Sequence, residues 1–155
     1  MNVRYINPFI EAASNAFATF LQAKITPQKP VIFNPENNDL HYDISGIIGL
    51  AGEVKGVVVV SLPKLVALKI ISGISDRDIK IFDDDVVDAI GEAINIIAGN
   101  AKRGLMDFKI AISLPSIIKG VNHRITWMAG VPVILIPFEC EYGPVYLFIS
   151  MKELL

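Results

Sequence analysis

The sequence predicts an α+β domain in which helices pack on an antiparallel sheet, built by internal duplication of one helix-and-strand unit. Three observations carry that prediction. Amphipathic stretches with helical spacing, such as Val86 to Lys102, are followed by short apolar runs such as Val57-Val58-Val59-Val60 and Val133-Ile134-Leu135-Ile136. Consecutive runs are joined by short glycine-containing turns, which implies antiparallel pairing, because a parallel connection needs a long crossover. The same order of elements occurs twice, in pseudo-repeats of about 1–75 and 76–155 within a single domain spanning 1–155.

The first half opens on Asn7-Pro8-Phe9-Ile10-Glu11, where Asn7 suits an N-cap and Pro8 the first helical turn. Asn34-Pro35-Glu36-Asn37-Asn38-Asp39 reads as a polar loop. Ile44 to Leu50 and Val57 to Ser61 then read as a hairpin closed by Ala51-Gly52-Glu53-Val54-Lys55-Gly56. A helix follows from Pro63 to Ser72, with Gly73 as its expected end. The second half opens on Asp83, Asp84 and Asp85, which favour a helix N-terminus by capping and by the helix dipole. After that helix, Val131 to Phe138 and Val145 to Ser150 form the matching hairpin, closed by Glu139 to Pro144. Each unit is thus expected to be one helix followed by three strands.

Composition bounds the function. A chain of 155 residues with 52% hydrophobic and 19% charged residues suits one domain with a sizeable core and argues against disorder. A net charge of -2 supplies no basic field for nucleic acid. The apolar runs are too short to cross a bilayer, so no membrane insertion is expected. The start, Met1-Asn2-Val3-Arg4-Tyr5, has no signal-peptide pattern, which leads to the expectation of a cytoplasmic protein. The single cysteine, Cys140, is flanked by Glu139 and Glu141, which disfavour a thiolate. His41 and His123 stand far apart, in no metal-ligand spacing, and read as ordinary strand or loop residues; no metal site is expected.

The chemistry-bearing feature is the run from Asp88 to Asn100. At about 100° per residue, Asp88, Glu92, Asn95 and Gly99 fall on one side of a helix, and Val86, Ile90, Ile94, Ile97 and Ala101 on the other. Gly99 carries no side chain, so another molecule's backbone can approach there. This pattern, with the string Gly91-Glu92-Ala93-Ile94-Asn95-Ile96-Ile97-Ala98-Gly99, resembles the Asp/Ser-x-x-x-Glu-x-x-Asn signature of the CheC/CheX/FliY phosphatases, which dephosphorylate the response regulator CheY. The match is to CheX, the single-site member, and covers most of the chain; that family too is built on an internal repeat, the CheC-like fold. Aligning the two helices puts Glu11 under Glu92 and Ser14 under Asn95. Asn15 comes one residue late and points about 100° away, so the first helix is not expected to be a working site.

The resemblance implies a role for each residue. Asn95 would enter the site of a phosphorylated CheY-like receiver and orient the attacking water, and Glu92 would pair with the receiver's lysine. Asp88 would support either the helix or the site's electrostatics, and with Gly99 would belong to the partner-binding stripe. Mg²⁺ would sit on the receiver, so no cofactor is expected on this chain. Pro115 resembles the family's downstream proline but is read as structural, a strand terminator. The resemblance also implies a homodimer through sheet edges, with Val145 to Ser150 as a compatible strand. The alternative is a non-enzymatic binding module of the same superfamily, related to the middle domains of flagellar switch proteins, which would not need Asn95.

Overall fold

The computed structural model describes residues 3–36, 38–75, 81 and 83–153. In chain order the elements are α1 (Val3–Leu21), β1 (Thr26–Pro27), β2 (Val31–Phe33), β3 (Ile44–Gly52), β4 (Val54–Leu62), α2 (Lys64–Ser75), α3 (Asp84–Arg103), β5 (Ile110–Ile112), β6 (Ser116–Lys119), β7 (Val133–Cys140) and β8 (Gly143–Glu153). The expected boundary between the halves, at 75 and 76, runs into 76–80, which lie outside the described residues.

The expected helix around Glu92 forms with its expected signals. Asp83 is the N-cap, its Oδ1 accepting from the Val86 N–H at 3.0 Å. Such a cap stabilises a helix by about 1 kcal/mol. Asp84 and Asp85 lie in the first turn and Lys102 and Arg103 in the last, each sign complementing the dipole. Two other helix ends differ from expectation. Asn7 does not cap α1, which already begins at Val3 and carries Pro8 inside it. Packing overrides the local signal: the added turn buries Ile6, stacks Tyr5 edge-on to Phe108 at 5.1 Å and pairs Arg4 with Asp107 at 3.3 Å. Gly73 does not end α2; it lies inside the helix, where a Cβ would collide with the Phe20 carbonyl oxygen. The glycine is there for close approach of α2 to α1.

The strands also correct the expectation. Each half has two short strands and two long ones, so the unit is a helix with four strands. In the first hairpin the β3–β4 pairing closes at Leu50 and Gly56, and the residues beyond splay apart to reach β5 and β8. The second hairpin is tighter than expected: Cys140 pairs with Gly143, whose φ of 131° is glycine territory.

One sheet holds all the strands, in the order β1-β7-β8-β4-β3-β5, with β2 also on β7 and β6 also on β3. Every pairing is antiparallel. The two halves are interlocked. The short strands of the first half pair with β7 of the second, and those of the second half with β3 of the first. The registers match: Thr26 faces Glu139 as Ala111 faces Ala51, and Val31 faces Leu135 as Ser116 faces Ile47. Where β4 and β8 meet, Ser61 and Ser150 are equivalent and Val59 faces Phe148 at the pseudo-two-fold axis. This placement removes Val145 to Ser150 as a dimer edge. Both sides of β8 are occupied, by β4 and by β7, and among the described strands the short ones lie at the outside of the sheet.

Alternation along the strands makes two cores. Ile44, Ile48, Val58, Val60, Ile136, Leu147 and Ile149 point to the helices and join Phe9, Phe17, Ile90, Ile94 and Ile97. Val59, Val133, Leu135 and Phe148 point the other way and are covered by Phe33, Tyr42, Ile125 and Trp127. Phe148 centres this second core, 5.0 Å from Phe33 and 5.3 Å from Trp127. Burial pushes the phenols of Tyr42 and Tyr146 above their ordinary range, so both stay neutral here. Of the expected polar loop, Asn37 lies outside the described residues; before it the Glu36 N–H donates to Asn34 Oδ1 at 3.0 Å.

Candidate functional site

The core side of α3 fixes its solvent side. Val86, Ile90, Ile94, Ile97 and Ala101 are each at most 2% exposed, which leaves the helix no freedom to roll. Each fully buried large aliphatic contributes about 1.5–3 kcal/mol. Gly46 of β3 lets the helix settle onto the sheet: a Cβ there would lie 3.1 Å from Ile94 Cγ2. Asp88, Glu92 and Asn95 are therefore held outward, and all three are exposed. Gly99 continues the stripe, and a Cβ added to it would meet nothing within 4 Å. The structure thus brings the expected site residues together on one accessible strip of one rigid helix.

Two features flank the strip. On one side the turn between β5 and β6 lies over α3, with Pro115 Cγ 3.6 Å from where a Gly91 Cβ would stand. Gly91 precedes Asn95 by one helical turn. Pro115 does separate two short strands, as expected, but it also packs beside the strip, a contact that spacing along the chain did not reveal. On the other side α1 runs along α3, and the cleft between them, of about 480 Å³, is lined by Pro8, Glu11, Ala12, Asn15, Asn100, Arg103 and Gly104.

The helices correspond residue by residue. Phe9, Ala12, Ala13, Ala16 and Phe17 are buried in α1 as Ile90, Ala93, Ile94, Ile97 and Ala98 are in α3. Glu11 is exposed in the place of Glu92, and Ser14, half-buried, takes the place of Asn95. Asn15 is exposed but faces the cleft shared with Asn100 and Arg103.

The histidines and the cysteine take up structural hydrogen bonds. His123 Nδ1 bonds the Gly120 carbonyl oxygen at 2.9 Å, which places the proton on Nδ1. In the neutral ring Nε2 then accepts from the Ser45 hydroxyl at 2.6 Å, and Ser45 Oγ lies 2.6 Å from Ser61 Oγ. Ser45 and Ser61 are fully buried, so this serine–histidine chain has no access to a substrate. His41 Nδ1 lies 3.1 Å from Asn122 Oδ1 on the surface. Cys140 donates from Sγ to the Gly143 carbonyl at 3.3 Å, within its hairpin turn. Among the described residues no three His, Cys, Asp or Glu side chains gather as a metal site, and no helix is long and apolar enough to cross a membrane.

Fold and strip together define a CheC-like α+β domain presenting an acid and an amide on its third helix. Residues 44–139 match the family described as chemotaxis phosphatase CheX, and the chain belongs to that family. It is similar in structure to a CheC-like superfamily protein from Shewanella sp. PV-4, at 30% identity and a TM-score of 0.90, covering 98% of this chain and 99% of that one. It is similar to chemotaxis protein CheX from Vibrio vulnificus, at 26% identity and a TM-score of 0.88, covering 96% of this chain and 99% of that one. A third similar structure is the CheX–CheY–BeF₃–Mg²⁺ complex from Borrelia burgdorferi, at 28% identity and a TM-score of 0.80, covering 96% of this chain and 98% of that one. No curated protein matches the chain.

Proposed function

We propose that this chain hydrolyses the aspartyl phosphate of a CheY-like receiver domain, with Asn95 and Glu92 as its working residues. The observation that carries the reading is the placement of both side chains outward, within one turn of each other, on a helix locked by its buried face in a member of the CheX family. The Borrelia relative is known in complex with CheY, which supports a receiver as partner.

The receiver holds its own Mg²⁺ and phosphoryl group, so the helper needs neither nucleophile nor metal. Its task is to place a water in line with phosphorus, and phosphoryl transfer responds mainly to positioning and electrostatics. The Asn95 amide suits that task because it accepts and donates without changing charge. The water oxygen bonds to phosphorus as the aspartyl oxygen–phosphorus bond breaks, releasing phosphate and a free aspartate. Glu92 pairs with the receiver's lysine and fixes the register between the two proteins. Asp88 adds negative charge to the same strip, and Gly99 admits the partner's backbone.

Phosphate release from phosphorylated CheY, with and without the protein, tests this directly. Glu92→Ala should weaken both binding and turnover. Binding of a receiver with no acceleration of phosphate release would favour the non-enzymatic binding module instead. A homodimer belongs to the same reading. Since β8 is internal, its contact would use the short outer strands; light scattering at 17.0 kDa, the mass of one chain, would rule it out.

A further inference from the structure

The internal two-fold supplies a control for each exposed residue beside the strip. Pro115 precedes β6 as Pro30 precedes β2, so Leu114 and Lys29 are mates. Leu114 is 87% exposed, and Lys29 is exposed as well. A lone exposed leucine is ordinary on a protein surface. Leu114 differs in three respects. Its mate is a lysine, so the fold has no need of an apolar side chain at that turn. Its neighbour Pro115 packs on α3 at Gly91, one helical turn before Asn95, so Leu114 stands one residue along the chain from that contact. Its backbone is pinned: Ser113 Oγ accepts from the Gly49 N–H at 2.8 Å and donates to the Leu114 carbonyl at 2.9 Å, while the Ser113 N–H donates to the Gly49 carbonyl at 2.9 Å.

A strip of two carboxylates, an amide and a bare glycine offers charge and geometry but little apolar area. Association draws most of its affinity from a few apolar or aromatic contacts excluded from water. We propose that Leu114 is the apolar contact that seats the receiver on α3. The partner surface it fits is an apolar patch on the receiver beside its phosphorylated aspartate. This rests on the phosphatase reading and adds the residue that governs affinity without touching the reacting atoms.

The test uses the full chain with Leu114→Lys, which copies the mate, alongside Leu114→Ala and Lys29→Leu. Phosphate release from CheY charged with acetyl phosphate gives KM and kcat, and CheY loaded with beryllofluoride and Mg²⁺ gives Kd. Burial of one leucine corresponds to about a tenfold change in affinity. Leu114→Lys should therefore raise KM and Kd about tenfold or more and leave kcat at saturation within about twofold. Leu114→Ala should show a smaller rise, and Lys29→Leu none. Unchanged thermal unfolding would confirm that these exposed substitutions leave the fold intact. Unaltered KM and Kd in Leu114→Lys would overturn the proposal, as would a fall in kcat with Kd intact. A wild-type protein that neither binds nor dephosphorylates any receiver would remove the phosphatase reading, and this docking role with it.

Discussion

The two halves of the molecule present the same helix with different outer faces. α3 shows Asp88, Glu92, Asn95 and Gly99; at the corresponding places α1 shows Asn7, Glu11, Ser14 and Ala18. The buried faces correspond while the outer ones diverge. Packing constrains only the inner side, so a duplicated fold can keep its scaffold and confine chemistry to one copy. The surroundings diverge too. Glu11 shares its cleft with Arg103, a cation of its own chain, whereas the residue that aligns with Arg103 at the end of α1 is the uncharged Gln22.

The most drastic way to break the comparison is to separate the halves. A fragment of residues 1–75 keeps α1 but loses β7, on which β1 and β2 pair, and β8, which flanks β4. It should show no cooperative unfolding by circular dichroism. Next in size is the functional asymmetry we propose. Asn95→Ala should lower receiver dephosphorylation on the order of a hundredfold while binding to the beryllofluoride complex survives. Ser14→Ala should change neither. Wild-type turnover in Asn95→Ala would end the water-positioning mechanism.

A third substitution tests the seat of α3. Gly46 lies under α3, and its mate is Ile134. Copying the mate by Gly46→Ile should destabilise the protein by about 1–3 kcal/mol in urea unfolding, because the position is already close to Ile94. The smallest effects concern the paired serines. Ser61 Oγ has Ser45 as partner, whereas Ser150 Oγ is buried with none, since Val133 stands where Ser45 stands in the other half. Ser61→Ala should cost about 1 kcal/mol, while Ser150→Ala should be neutral or slightly stabilising. Equal losses at the two sites would show that the hydroxyls are not distinguished by their partners.

The strip on α3 was legible because helical periodicity is a local property and strong capping signals bracket the segment. The duplication was legible because each half repeats its order of turns and apolar runs. Long-range pairing was not. Pro8 and Gly73 read locally as helix start and helix stop, yet Ile6 and the Phe20 carbonyl, both set by tertiary contact, decide otherwise. Val145 to Ser150 looked like a terminal strand because it ends the chain, and only the sheet order shows it to be interior. The strand exchange between halves leaves no trace in composition. The place of Leu114 is within reach of the amino-acid sequence: aligning Pro30 with Pro115 sets it opposite Lys29.

The interlocked short strands also bear on how such a chain could arise. A single half, translated alone, would have no strand of its own on which to seat its first two. Two identical copies could seat them by exchanging these strands, as a swapped dimer does. The present chain has the connectivity of that dimer with its ends joined, and α2 lies in the join. Joining makes the partner's concentration irrelevant to folding. It also frees one copy of the helix from sharing every substitution with the other, which is the condition under which Asn95 and Ser14 could come to differ.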